Sequence, residues 1–170
     1  MKRYGISGSW RKTDEIVASD VKETVSNIIK SGDGIVTGGA LGVDYIATEI
    51  VLTLGDPKTQ LKIYLPISLD KFCSHYHKRA EEGVITKEQA EIITSQLKKV
   101  FEIAPNSIRD TTPYTKANVE SYYARNSTII EECDELCAFQ VNDSQGTQDA
   151  IDKANELGKP AIVKKYSINK

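Results

Sequence analysis

Four short segments of this chain combine small residues, hydroxyls and cations in patterns that suit a phosphate-bearing ligand. In the first, Ser7, Gly8, Ser9, Trp10 and Arg11, small residues let backbone N–H groups approach phosphate oxygens, two hydroxyls donate and a guanidinium adds charge. Taken alone, the same stretch also reads as a plain tight turn. The second runs Thr37, Gly38, Gly39, Ala40, Leu41, Gly42, Val43, Asp44 and leads into a helical pattern, whose N-terminus offers unpaired N–H groups and the positive end of a dipole. It carries neither the Gly-Lys-Ser/Thr of a phosphate loop nor G-x-G-x-x-G. Asp44 reads two ways, as a helix-start carboxylate favoured by the dipole or as an acceptor for a ribose hydroxyl.

The third segment is Tyr123, Ala124, Arg125, Asn126. Helical spacing turns Asn126 toward an apolar face, where an amide wants partners. Arg125 is either a bidentate phosphate clamp or a solvent-facing residue paired with Glu131 or Glu132. As a clamp it can be cut back with little effect on the fold. The fourth holds Asn142, Asp143, Ser144, Gln145, Gly146 and Thr147, where Gly146 is expected to make the turn and Ser144 or Thr147 to cap the following helix.

What brings such segments together is an open parallel sheet, in which loops at the strands' carboxyl ends share one rim. β-rich runs at 3–7, 34–37, 61–65, 135–140 and 161–164 alternate with helical patterns. The first helix carries Val17, Val21, Val25 and Ile28 or Ile29 on one stripe, and Gly32 ends it. The second is built on Val43, Ile46 or Ala47, Ile50 or Val51, and Leu54, and the last on Ala150, Ile151, Ala154 and Leu157. The expectation is an α/β sheet of about five strands in the order 3-2-1-4-5, with helices on both faces. Some 70 residues separate the third and fourth strands, more than a crossover needs, so a helical insertion is placed at about 67–117 within a single domain covering 1–170. Its irregular stretch from Pro105 to Lys116, which holds Thr111, Thr112, Pro113 and Tyr114, reads as a lid or partner-facing loop.

Composition narrows the function classes. The 170 residues are 39% hydrophobic with a net charge of -2, which fits a globular domain without a global basic field for nucleic acid. The lysines and arginine Lys98, Lys99, Arg109 and Lys116 offer at most a local patch. Neither a membrane span nor a signal peptide is expected. Cys73, Cys133 and Cys137, odd in number and without C-x-x-C spacing, read as buried reduced thiols of a cytoplasmic protein. His75 and His77, assigned to the loop after the third strand, lack companions for a metal site. No metal and no cofactor are expected.

With these residues in view the chain resembles the SLOG superfamily, which joins the DNA-processing protein DprA (Smf) with the Lonely Guy phosphoribohydrolases, and within it the small bacterial and phage branch related to YspA and YpsA. The matching elements are G-I-S-G-S at 5–9, T-G-G-A-L-G-V-D at 37–44, R-N at 125–126 and S-Q-G-T at 144–147. The resemblance implies a Rossmann-like fold, a nucleotide or nucleoside-phosphate pocket at the strand tips, and a homodimer or higher homo-oligomer. It also marks a departure. Lonely Guy enzymes carry P-G-G-x-G-T-x-x-E, whereas Asp143 and Ser144 replace the first glycines here and Ala150 stands where the catalytic Glu belongs. The expected function is therefore a non-catalytic sensor or carrier of a nucleotide-derived ligand. The alternatives are hydrolysis of a nucleoside 5'-monophosphate, with Asp149 or Glu120 as substitute carboxylate, and DprA-like binding of single-stranded DNA.

Overall fold

The computed structural model describes residues 1–110 and 113–169. Among these the chain order is β1 (Arg3–Gly8), α1 (Glu15–Lys30), β2 (Gly34–Thr37), α2 (Val43–Leu54), α3 (Pro57–Gln60), β3 (Leu61–Leu65), α4 (Leu69–Glu81), α5 (Lys87–Ile103), β4 (Ile108–Asp110), α6 (Val119–Glu132), β5 (Glu135–Val141), α7 (Gln145–Glu156) and β6 (Ala161–Tyr166). The strands form one all-parallel sheet in the order β4-β3-β2-β1-β5-β6. The five expected strands keep their expected order. The sixth, β4, corrects the reading of residues 105–116 as wholly irregular: a 3₁₀ turn at Pro105–Ser107 leads into an edge strand paired with β3. Three residues are too short a run for period-2 patterning to reveal. Of the expected lid, Thr111 and Thr112 lie outside the described residues.

Side-chain alternation along the strands builds two apolar layers. On one face Ile35, Ile63, Leu65, Cys137, Phe139 and Val141 meet Val17, Val21 and Val25 of α1, Ala47 and Val51 of α2, and Ile93 and Leu97 of α5. On the other, Val36, Tyr64, Leu136 and Ala138 meet Ile129 and Ile130 of α6 and Ala150, Ile151 and Ala154 of α7. Both faces are thus helix-covered. All three cysteines are buried and unpaired. No helix among the described residues is long and apolar enough to cross a membrane.

Local chemistry sets the helix starts. Asp14, Asp56, Ser68, Thr86 and Asn118 each accept a first-turn amide of α1, α3, α4, α5 and α6 respectively, and Thr86 with Gln89 and Asn118 with Ser121 complete capping boxes. α2 and α7 begin without a side-chain cap. At the far end of α6, the Lys159 ammonium donates to the carbonyls of Ile130, Glu131 and Cys133 at 2.6, 2.8 and 2.7 Å, meeting the negative end of that helix.

Candidate functional site at the strand carboxyl ends

The sheet reverses direction of growth between β1 and β5, so the crevice outside their carboxyl ends is where a ligand of such a fold lodges. The four segments singled out in the sequence border this crevice, in two groups that behave differently.

The turn after β2 faces inward. Gly42 has φ +73°, and a Cβ there would run into the Ser9 carbonyl, which accepts the Val43 N–H at 3.0 Å. The Asp44 carboxylate reaches back to the Ala40 N–H at 3.2 Å, and the Leu41 N–H donates to the Tyr76 hydroxyl at 3.2 Å. Thus the amides of Ala40, Leu41 and Val43, which the sequence offers to an outside phosphate, are taken by the protein's own oxygens. Asp44 is 6% exposed and its side chain is turned into the protein. Burial raises its pKa above the ordinary value, while the Arg125 guanidinium, the Thr37 hydroxyl and the Ala40 and Gly38 backbone pull the other way.

Arg125 closes this turn from above. It is 7% exposed, its Nη1 donates to the Gly38 carbonyl, and its Nε donates to Asn126 Oδ1 at 3.2 Å. A Cβ on Gly38 would collide with the guanidinium. The reading of Arg125 as a solvent-facing partner of Glu131 or Glu132 is overturned, because α6 turns it onto the turn after β2. Asn126, buried as its spacing predicts, continues the chain of bonds, its Nδ2 donating to the Gly146 carbonyl at 3.2 Å and to Asp149 Oδ2 at 3.1 Å. Asp149 is also held by Lys153 at 2.7 Å. One adjacent Arg-Asn pair therefore ties the turn after β2 to the first turn of α7.

The other group is more open. Ser7 lies in β1, paired with Ala138, and Gly8 is packed so closely that a Cβ would meet Val43 Cβ at 2.7 Å and the Phe139 carbonyl at 2.9 Å. Ser9 Oγ accepts the Lys12 N–H at 3.1 Å, which folds the loop back on itself. Trp10 is half-buried and Arg11 exposed. After β5 the turn is made by Asn142 and Asp143, at φ 49° and 53°, and not by Gly146, which sits inside α7. Both residues tolerate that conformation through their short polar side chains. Ser144 takes the N-cap position as expected, but its hydroxyl donates to Thr147 Oγ1 at 2.8 Å and makes no cap.

Sequence reasoning missed the aromatic wall behind this rim. His75 and His77 lie in α4 and not in a loop, about 200° apart around the helix. The same helix presents Phe72 and Tyr76, rings 4.9 Å apart, with Tyr122 of α6 at 6.4 Å from Phe72 and Trp10 at 6.4 Å from Tyr76. Burial pushes the Tyr76 phenol well above its ordinary range. The i, i+4 spacing of Phe72 and Tyr76 was the available signal. Among the described residues no group of three or more His, Cys, Asp or Glu side chains is arranged to hold a metal. A groove of about 310 Å³, lined by Tyr45, Glu49, Glu91, Ile92, Ser95 and Gln96 among others, lies away from the rim between α2 and α5.

No protein-family model matches this sequence, and no curated protein aligns with it. Solved structures do resemble it. DNA processing protein A from Helicobacter pylori, described for its single-stranded DNA binding mode, superposes with a TM-score of 0.65 at 23% identity, over 95% of this chain and 64% of that one. The molybdenum cofactor carrier protein from Chlamydomonas reinhardtii gives a TM-score of 0.58 at 17% identity, over 95% and 75%. DNA processing protein A from Streptococcus pneumoniae gives 0.53 at 16% identity, over 95% and 58%. The chain thus spans less than two thirds of either DNA processing protein. What it has in common with all three is the fold, a Rossmann-like open parallel sheet.

Proposed function

We propose that this protein binds a nucleotide-derived phosphate ligand at the carboxyl ends of β1 and β5, as a sensor or carrier and not as a hydrolase. The observation that carries the reading is the uncapped start of α7 beside the switch strands. Five helices have a side chain bonded to their first-turn amides; α2, also uncapped, has its Val43 amide bonded to Ser9, while Ser144 leaves the N-terminus of α7 to be met by something else. Arg11, exposed in the facing turn, supplies a cation. Against hydrolysis stands Ala150, 2% exposed, at the position of the family's Glu, with Asp149 occupied by Lys153 and Asn126. A carrier role agrees with one neighbour of this fold, the cofactor carrier protein.

Calorimetry or thermal shift with mononucleotides, ADP-ribose and cyclic dinucleotides tests the reading. At 100-fold excess over Kd a ligand stabilises by about 2.7 kcal/mol, a shift of several degrees. A flat response to every compound would sink it. Release of free base from a monophosphate restores the hydrolase.

A second reading, single-stranded DNA binding, is favoured by the likeness to the Helicobacter protein. It requires affinity for an oligonucleotide that falls steeply with salt, against a net charge of -2.

A further inference from the structure

Trp10 is the chain's single tryptophan, placed two residues beyond the last residue of the central switch strand. Its backbone packs closely on the turn after β2: a Cβ on Gly42 would come within 3.0 Å of Trp10 Cα. Its ring stands edge-on to Tyr76, centroids 6.4 Å apart at an interplanar angle of 60°. Tyr76 is itself 2% exposed, bonded through its hydroxyl to the Leu41 amide and wedged against Phe72. The indole is therefore backed by the core, while part of it remains open to solvent.

The Arg11 guanidinium sits over the indole, 5.2 Å from the ring centroid. It is exposed and forms no ion pair among the described residues. A cation over an exposed aromatic face is held weakly, whereas a nucleobase stacks on such a face more strongly and regardless of its identity. A phosphate in turn holds a guanidinium more tightly than an indole does, through charge-assisted hydrogen bonds. Exchange of partners is favourable at both ends.

We propose that Trp10 is the stacking platform for the ligand's nucleobase, and that Arg11 occupies it in the empty protein and transfers to the ligand's phosphate on binding. The proposal rests on the reading of the rim as a nucleotide site and adds the part of the ligand that reading leaves open, an aromatic base. The same chemistry is presented by a free nucleotide and by a single strand, so the experiment carries both.

The full chain is titrated with the four ribonucleoside monophosphates, with ribose 5-phosphate and with a short oligo-dT, following heat and tryptophan emission excited where tyrosine does not absorb. The expected result is quenching of Trp10 by a mononucleotide, with the same midpoint as the heat. Ribose 5-phosphate binds roughly 10- to 100-fold more weakly and leaves the emission unquenched. Trp10→Ala costs the mononucleotide that same factor and leaves ribose 5-phosphate unaffected; Trp10→Phe, which keeps a ring, recovers part of it. Arg11→Ala weakens mononucleotide and ribose 5-phosphate by equal factors. Quenching by oligo-dT alone keeps the platform and overturns the mononucleotide reading. Heat with unchanged emission, and unchanged affinity in Trp10→Ala, overturns the platform and keeps the nucleotide site. Silence from every probe overturns both.

Discussion

The turns after β2 and after β1 have similar compositions and opposite fates. Both are small-residue βα turns at the same rim, yet in the first the glycines bring the protein's own Asp44, Tyr76 and Arg125 against the backbone, while the second leaves Arg11 exposed and Trp10 half-buried. A glycine-rich turn is an invitation for an oxygen to approach the backbone. Which oxygen accepts depends on side chains far away in sequence.

Arg125 draws the sharpest contrast. Cutting it back leaves Asp44 buried without its cation and the Gly38 carbonyl and Asn126 without a donor, so Arg125→Ala should cost about 3 kcal/mol, measured as a lower urea midpoint. This reverses the sequence-based expectation that the fold would barely notice. Arg125→Lys should recover less than half, because a point charge cannot span both acceptors. Gly38→Ala comes next. Its Cβ displaces the guanidinium, at a cost of about 2 kcal/mol, and the same change made in the Arg125→Ala background should cost almost nothing. Equal costs in both backgrounds would remove the contact from the account.

Asp44 gives a smaller effect with a definite sign. Its folded pKa is raised above the ordinary 3.8, so the folded state holds the proton more tightly than the unfolded state. Its contribution is then fully present below pH 3.8 and is lost as pH rises from there through the raised value, by at most about 1.4 kcal/mol per pH unit. The stability of the parent minus that of Asp44→Asn, followed from pH 4 to 8 by urea unfolding, should fall with pH; a rising difference contradicts the assignment. Smallest of all is Arg11→Ala, which belongs to the outward turn and should move stability by no more than about 0.5 kcal/mol in a thermal melt.

Much of this arrangement was legible before any coordinates. Alternating strands and helical stripes are periodic over many residues, and periodicity gave the elements and the burial of Asn126, while the order of the strands came with the resemblance to a Rossmann-like fold. The rim positions followed, because βα turns of a parallel sheet have only one place to go. What stayed hidden was direction. Nothing adjacent to Asp44 says that its carboxylate turns back to Ala40, nor does α6 alone say that Arg125 ends on Gly38, since these bonds link residues whose proximity exists only in the assembled sheet. Likewise Asn142 and Asp143 took the left-handed turn that Gly146 was expected to make, which either composition permits.

The pairing of residues 3–8 with residues 135–141 has a kinetic consequence. β1 can join β2 and β3 from contiguous chain, but its seam with β5 closes the longest loop in the sheet, and that closure entropy must be met before the contacts it brings. Until then Gly8 lacks the Phe139 backbone beside it and the rim has only one side. The proposed ligand site is complete only once this seam has closed: in refolding, binding should appear with the slowest phase, and during synthesis only after β5 has emerged.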